Sequence, residues 1–349
     1  MNGFVAMMIA LVVSLGITAL LGFVLIPWLH KLKFGQVILD IGPNWHKHKQ
    51  GTPTMGGLMF IIGVLVAVIA VLGFDFLVLG NRSYMPLAGG VRLRLVAGIG
   101  MAAAFGLLGF WDDYTKVVKK RNKGLSIAQK SVAQIVIIGG YLLALVISKQ
   151  GNVNTLIPFI GRVNLPTILF VLFAAVVIYG CVNAVNFTDG IDGLCSSVTV
   201  ITGTGLAVFA IMRGLFGAGV LAAALVGGCI GFLLWNRPPA KVFMGDTGSM
   251  FIGGLVLAIA FALETPVILL PMGIIYVIEF LSDVIQIGYF KATGGKRVFK
   301  MAPIHHHFEM SGWSEKKIDL VFCLVNTAGV AIGLIVVYFG LSAMEGFVV

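Results

Sequence analysis

The chain has 349 residues, of which 59% are hydrophobic and 11% charged, with a formal net charge of +10. A soluble protein of this length cannot hide that much apolar surface, which excludes a water-soluble globular fold and makes the chain a polytopic membrane protein. Its basic residues are split among separate segments, so no nucleic-acid partner is expected; the charge suits anionic lipid or phosphate instead.

Crossing the hydrocarbon takes about 20 apolar residues per helix. In chain order the apolar segments predict transmembrane helices over 4–29, 54–73, 93–111, 127–148, 166–185, 194–212, 218–235, 249–263, 266–290 and 318–340. The expected fold class is all-α, with about ten transmembrane helices in a single domain over 1–349. The segments are continuously apolar rather than alternating, which disfavours a barrel. The first has no positive flank and is too long for a signal-peptide core, so it is read as a retained span. In the fourth gap, 149–165, Gly161-Arg162 is expected to turn a small external hairpin. The ninth span has Pro266 at its start and Pro271 in its first turns, which predicts a kink or break. Further along it, Glu279, Asp283 and Gln286 recur at i, i+4 and i+7 on one face. That face meets protein or a watery cavity, or else the helix end leaves the membrane and the acids are solvated. Both readings place Gln286 near the cytoplasmic surface. Cys181, Cys195, Cys229 and Cys323 have no paired spacing and read as small core residues.

The polar chemistry falls in alternate gaps. The first, third, fifth, seventh and ninth hold His30, His46, His48, Asp112, Asp113, Asp189, Asp192, Asp246, His305, His306 and His307. They also hold 17 Lys and Arg residues against six in the even gaps, with Lys130 just inside the fourth helix. That imbalance puts the odd gaps in the cytoplasm and both termini outside. Five loops distant in sequence then share one membrane face.

Each cluster has a chemical and a plain reading. Asn186-Phe-Thr-Asp189-Gly-Ile-Asp192-Gly193 sets two carboxylates three residues apart among glycines that admit a ligand, although taken alone it reads first as an Asx-type turn capping the next helix. Gly245-Asp246-Thr-Gly-Ser249 opens a helix, offering amides and the Ser249 hydroxyl to phosphate and a carboxylate to metal, or forms an ordinary cap. Asp112 and Asp113 point roughly 100° apart on a helix, so one can face a reaction while the other positions a cation. A surface pair bridged to Lys116 is the plain alternative. His305, His306 and His307 are consecutive, which is poor zinc geometry but suits donation to phosphate and sugar oxygens. Gathering five aspartates on one face is repulsive, on the order of 4 kcal/mol for a pair 4 Å apart at intermediate dielectric. A divalent cation relieves that, and oxygen ligands with phosphate fit Mg²⁺ better than Zn²⁺.

These segments, with Lys49-Gln-Gly-Thr-Pro-Thr-Met-Gly-Gly57, Phe243-Met-Gly-Asp-x-Gly-Ser249 and Pro303-Ile-His-His-His-Phe-Glu309, resemble the polyprenyl-phosphate N-acetylhexosamine-1-phosphate transferases. The resemblance is closest to their phospho-N-acetylmuramoyl-pentapeptide-transferase branch and covers essentially the whole chain. Phe187 stands where leucine is commoner, which touches nothing catalytic. The resemblance implies transfer of phospho-MurNAc-pentapeptide from its UDP carrier to undecaprenyl phosphate, giving lipid I and UMP. It also implies Mg²⁺ as cofactor, a homodimer, membrane lipids as partners and the bacterial inner membrane as location. By the same resemblance Asp246 matches the metal-binding aspartate, and Asp112 the base on the lipid phosphate with Asp113 beside it. Lys49, Asp192 and Phe243 match a uridine pocket in which Phe243 stacks on uracil. Asn186, Asp189, Asn236, Gln286, His305 and His306 match the rest of the nucleotide–sugar site. Asp112, Asp113, Asp246 and His305 form the catalytic set. Thr54, Ser249 and His307 join the substrate-binding set, and Lys116 and Lys130 are added here as phosphate contacts.

Two other classes of function remain in view: a transferase for N-acetylglucosamine phosphate, and a transporter of anions or nucleotide sugars. A transporter places its coupling residues on broken helices near the midplane, where only Glu279 and Asp283 qualify. An intramembrane metalloprotease is disfavoured, since no His-Glu-x-x-His helix is present.

Overall fold

A computed structural model describes residues 2–32, 49, 51–78, 84, 90–118, 124–148 and 154–342. His46 and His48, with the basic residues Lys33, Lys47, Arg82, Lys119, Lys120, Arg121, Lys123 and Lys149, lie outside the described residues.

Among the described residues the chain forms α1 (Gly3–Lys31), α2 (Gly57–Leu77), α3 (Val91–Val118), α4 (Ile127–Ser148), β1 (Asn154–Ile157), β2 (Gly161–Asn164), α5 (Thr167–Thr188), α6 (Leu194–Met212), α7 (Phe216–Asn236), α8 (Gly245–Ala262), α9 (Leu269–Met272), α10 (Ile274–Ala292), α11 (Ile304–Glu309) and α12 (Glu315–Ser342). Nine of these helices are long and apolar enough to cross a membrane, and the bent pair Pro266–Met272 and Ile274–Ala292 brings the number to ten when counted as one broken span. The chain is an all-α multi-pass membrane protein.

Burial sorts the helices into layers. In α7 and α8, 83% and 89% of the most apolar stretch is enclosed by protein, whereas in α1 the figure is 28%. Hence α7 and α8 form the centre, and α1, α4, α5 and α12 turn apolar faces such as Leu20, Phe23, Ile135, Leu172 and Leu324 outward to lipid. Association between helices in lipid relies on close packing more than on water exclusion, which favours small residues at contacts. Gly109 of α3 lies against the backbone of Asp246 and Thr247, Gly254 of α8 against Ala102, and Gly253 of α8 against Val182. These contacts bring α3 and α5 onto the central α8, and so fix the ends where the acidic residues sit.

The ninth span breaks as expected, though at Gly273 between the two segments rather than at either proline, and it bends by 86°. A break in lipid frees backbone groups that need partners. Thr202 Oγ1 donates to Met272 O at 2.9 Å, and Asn326 Oδ1 accepts from Ile275 N at 3.4 Å while its Nδ2 donates to Thr202 Oγ1 at 2.9 Å. The hairpin β1–β2 forms, but it turns through Pro158–Ile160 rather than at Gly161-Arg162. Phe159 takes the left-handed conformation, at φ 68°, and Gly161 opens β2. The four cysteines are free; Cys195 and Cys229 are buried, Cys181 and Cys323 half-buried.

Candidate active site

Helix α3 runs past the apolar stretch that defines its span and carries Asp112 and Asp113 into its last turns. It stays helical there because both carboxylates are buried between helices, at 3% and 2% exposure, rather than released to water. Likewise Gly245–Ser249 is the first turn of α8, so Asp246 sits on that helix's positive end. One oxygen from each of Asp112, Asp113 and Asp246 lies within 4.8 Å of the others.

Two ammonium groups hold this cluster together. Lys116 Nζ stands 2.6 Å from Asp112 Oδ2, 3.5 Å from Asp113 Oδ1 and 3.1 Å from Asp246 Oδ2. Lys130 Nζ reaches Asp246 Oδ2 at 2.8 Å. The remaining oxygens accept from the fold. Leu125 N donates to Asp112 Oδ1 at 2.7 Å. Thr247 donates to Asp113 Oδ2 through its amide at 2.9 Å and its hydroxyl at 2.7 Å. Asn186 Nδ2 donates to Asp246 Oδ1 at 2.9 Å and to Ser249 Oγ at 2.8 Å. Among the described residues three carboxylates turn oxygens toward one point, where Lys116 already places a positive charge, and such hard oxygen donors suit a divalent cation. Thr54 borders the cluster, since a side chain at Gly245 would meet both Thr54 Oγ1 and Asp113 Oδ2.

The segment 53–57 lies along the chain that enters α8. Phe243 N donates to Pro53 O at 2.9 Å, and Gly56 and Gly57 donate to Phe243 O and Met244 O. This docking holds the Phe243 side chain half-buried beside the entrance to α8. Lys49 Nζ pairs with Asp192 at 2.7 Å and Glu315 at 2.6 Å. Asp192 Oδ2 accepts from Ala240 N at 2.8 Å, tying the fifth gap to the seventh. Asn236 uses both ends of its amide on backbone, accepting from Gly193 N and donating to Val242 O. It shapes this corner from beneath.

A third group surrounds α10 and α11. Glu279 is buried and its Oε2 lies 3.0 Å from His305 Nδ1, so the acid on the ninth span meets protein rather than water. His305 is fully buried and abuts Gly190, next to Asp189. His306 Nδ1 is 2.6 Å from Glu309 Oε2, and His307 Nδ1 accepts from Lys300 N at 3.1 Å. Gln286 Oε1 accepts from Val298 N and Phe299 N, and its Nε2 donates to Phe299 O. Its amide thereby pins Val298 and Phe299 of the loop.

Asp189 joins the groups electrostatically. Desolvation by its surroundings, then the charges of Asp246, Asp113 and Asp192, hold its carboxyl well above the ordinary 3.8. A carboxyl raised in this way keeps its proton in the folded chain after the unfolded chain has lost it. Stability therefore falls as pH rises above the unfolded value toward the folded one. In cation-free buffer, Asp189→Asn is expected to raise the thermal midpoint near neutral pH and to flatten its decline above pH ~4. Differential scanning fluorimetry across pH reads this directly; a midpoint lowered equally at every pH would reject the assignment.

Sequence reasoning did not find Thr247, Glu309 or Glu315. Thr247 was the unassigned position inside its motif, and Glu315 meets Lys49 only through the tertiary fold. Of the residues singled out, Asp112, Asp113, Asp246, Lys116, Lys130, Asn186, Ser249 and Thr54 gather at one centre. Lys49, Asp192 and Asn236 form a neighbouring corner, and His305, His306, His307 and Gln286 a third wall.

Residues 95–264 match the family description Glycosyl transferase family 4, and residues 49–61 match Phospho-N-acetylmuramoyl-pentapeptide-transferase signature 1. Relatives named phospho-N-acetylmuramoyl-pentapeptide-transferase include one from Desulforamulus reducens, 43% identical over 328 residues (93% of each chain). A Clostridium perfringens relative is 44% identical over 320 residues (91% of this chain, 92% of the relative). One from Listeria monocytogenes is 45% identical over 316 residues (90% and 93%).

Proposed function

The chain belongs to the phospho-N-acetylmuramoyl-pentapeptide-transferase family, and we propose that it transfers phospho-MurNAc-pentapeptide from UDP to undecaprenyl phosphate, releasing UMP and forming lipid I. The observation that carries this reading is the buried Asp112–Asp113–Asp246 cluster, bridged by Lys116 and bordered by Lys130. Phosphoryl transfer depends chiefly on alignment and on neutralising charge, and this centre offers both.

Asp246, with Asp112 and Asp113 close by, would hold Mg²⁺, which when bound screens the diphosphate and lowers the cost of approach by a second anion. The chain's own residues do the rest. Asp112 accepts the proton from the lipid phosphate. An oxygen of that phosphate attacks the sugar-bearing phosphorus, and the bond from this phosphorus to the bridging oxygen breaks as UMP leaves. Lys116 and Lys130 offset the negative charge gathering on the phosphates. Asp113, held by Thr247, positions α3 against α8. Lys49, Asp192 and Phe243 bind the uridine, with the Phe243 ring stacking on the base. Asn186, Asp189, Ser249, Thr54, His305, His306 and His307 line the sugar–phosphate side, with Asn236 and Gln286 holding the loops that carry it.

The 17-to-6 distribution of basic residues supports a cytoplasmic site in the bacterial inner membrane, with both termini outside. A soluble nucleotide sugar then arrives from the cytosol while the polyprenyl chain stays in lipid beside the bent ninth span. The protein acts as a homodimer. The test is UMP release by the purified chain with undecaprenyl phosphate, Mg²⁺ and either UDP-MurNAc-pentapeptide or UDP-N-acetylglucosamine. Turnover of the first and not the second is expected; preference for the second would move the chain to the other branch. In the same assay Asp112→Asn should keep nucleotide affinity and lose about 10²-fold or more in rate. A pH–rate profile unchanged from wild type would reject Asp112 as the base.

A further inference from the structure

The opposite end of the bundle carries a second charged centre that takes no part in the transfer. Arg94 lies in the first turn of α3 while Asp112 and Asp113 lie near its end, so ~27 Å of helix separates the two centres. Glu264 follows the end of α8, whose start carries Asp246. Arg94 Nη1 is 2.7 Å from Glu264 Oε1, and Arg162 Nη2 is 3.1 Å from Oε2. Arg213 faces the same carboxylate and donates to Leu263 O at 3.4 Å. Three of the six basic residues in the even gaps therefore surround one acid, against the charge bias of that side.

Arg94 is only 5% exposed, yet its Nε has no hydrogen-bond partner among the described residues, and the same holds for the hydroxyl of nearby Tyr141. It lines two adjoining cavities. One, of about 40 Å³, is walled by Tyr84, Leu95, Leu215 and Phe216; the other, of about 10 Å³, by Thr155, Phe170, Phe261 and Glu264. Buried polar groups rarely stay without partners, and a guanidinium pairs best with an anionic oxygen that it can meet through two donors. We propose that this centre binds a phosphate anion, as a lipid headgroup or as free phosphate, with Arg94 as the buried donor and Arg162 and Arg213 as flanking charges.

The test uses the delipidated full chain in detergent. Native mass spectrometry is titrated with phosphatidylglycerol, with diacylglycerol as the phosphate-free control. A parallel arm follows the thermal midpoint against inorganic phosphate. Wild type should retain one more phosphatidylglycerol per chain than Arg94→Gln, with affinity weakened about ten-fold in the variant. Arg213→Gln leaves the Arg94–Glu264 pair in place and should show similar weakening, so the idea stays testable should Arg94→Gln misfold. UMP release should be unchanged in both. Dependence on the two arginines for the lipid alone identifies a headgroup site, and the same dependence for inorganic phosphate identifies a free-anion site; either upholds the proposal. Equal lipid retention in wild type and Arg213→Gln, or equal binding of diacylglycerol, overturns it.

Discussion

Asp246→Asn should abolish turnover, lowering UMP release by about 10³-fold or more, equivalent to ~4 kcal/mol of barrier, while the protein stays folded. The substitution keeps size and shape and removes the charge on which Lys116, Lys130 and Asn186 converge. Folding should survive because Lys116 retains Asp112 and Asp113, and Lys130, at 21% exposure, can turn toward water. Loss of one carboxylate from three leaves too little negative charge to hold a divalent cation against the nearby ammonium groups. The measurements are UMP release at saturating substrates and the thermal midpoint. Full turnover would remove Asp246 from the metal role, and unfolding without cation would make its role structural.

Gly109→Ala should act on the same centre from the backbone. Gly109 of α3 faces the carbonyl of Asp246 and the amide of Thr247, where a methyl group cannot fit without moving one helix. Because the obstruction is backbone rather than a flexible side chain, relief requires α3 to shift away from α8. That shift separates Asp112 and Asp113 from Asp246 and strains both bonds from Thr247 to Asp113. Overpacking of this kind costs about 1–3 kcal/mol in stability, and displacement of reacting groups by ~1 Å costs on the order of 10²-fold in rate. Both should appear together, a lowered midpoint and reduced kcat, whereas Gly16→Ala on α1, which meets nothing, should change neither. Wild-type kcat in Gly109→Ala would show that the α3–α8 approach does not set the site.

The spans were legible because hydropathy in lipid is nearly a one-dimensional signal. α4 and α6 have the bounds read from the sequence, Ile127–Ser148 and Leu194–Met212. The apolar span ends at 111, where charge begins, yet Asp112 and Asp113 pair with Lys116 and the helix continues to Val118. The glycine signal points to a turn at Gly161, whose φ is indeed 101°, but Gly161 already pairs with Ile157 and the turn lies just before it, with Phe159 also at positive φ. The convergence of alternate gaps on one end was readable from topology alone. Which side chains face ligand and which hold loops was not. Gln286 and Asn236 look alike in sequence as polar residues beside the site, and only their backbone partners show that they brace it. Pairs such as Lys49–Glu315 and His305–Glu279 depend on how α12 and α10 pack, which no local spacing encodes.

The proposed transfer needs one divalent cation held by the three clustered aspartates, and Mn²⁺ binding followed by electron paramagnetic resonance reads this directly. The wild-type chain with its UDP-sugar should bind one Mn²⁺ that Mg²⁺ displaces, and Asp246→Asn should bind none at the same concentration. Wild-type Mn²⁺ stoichiometry and affinity in Asp246→Asn would contradict it.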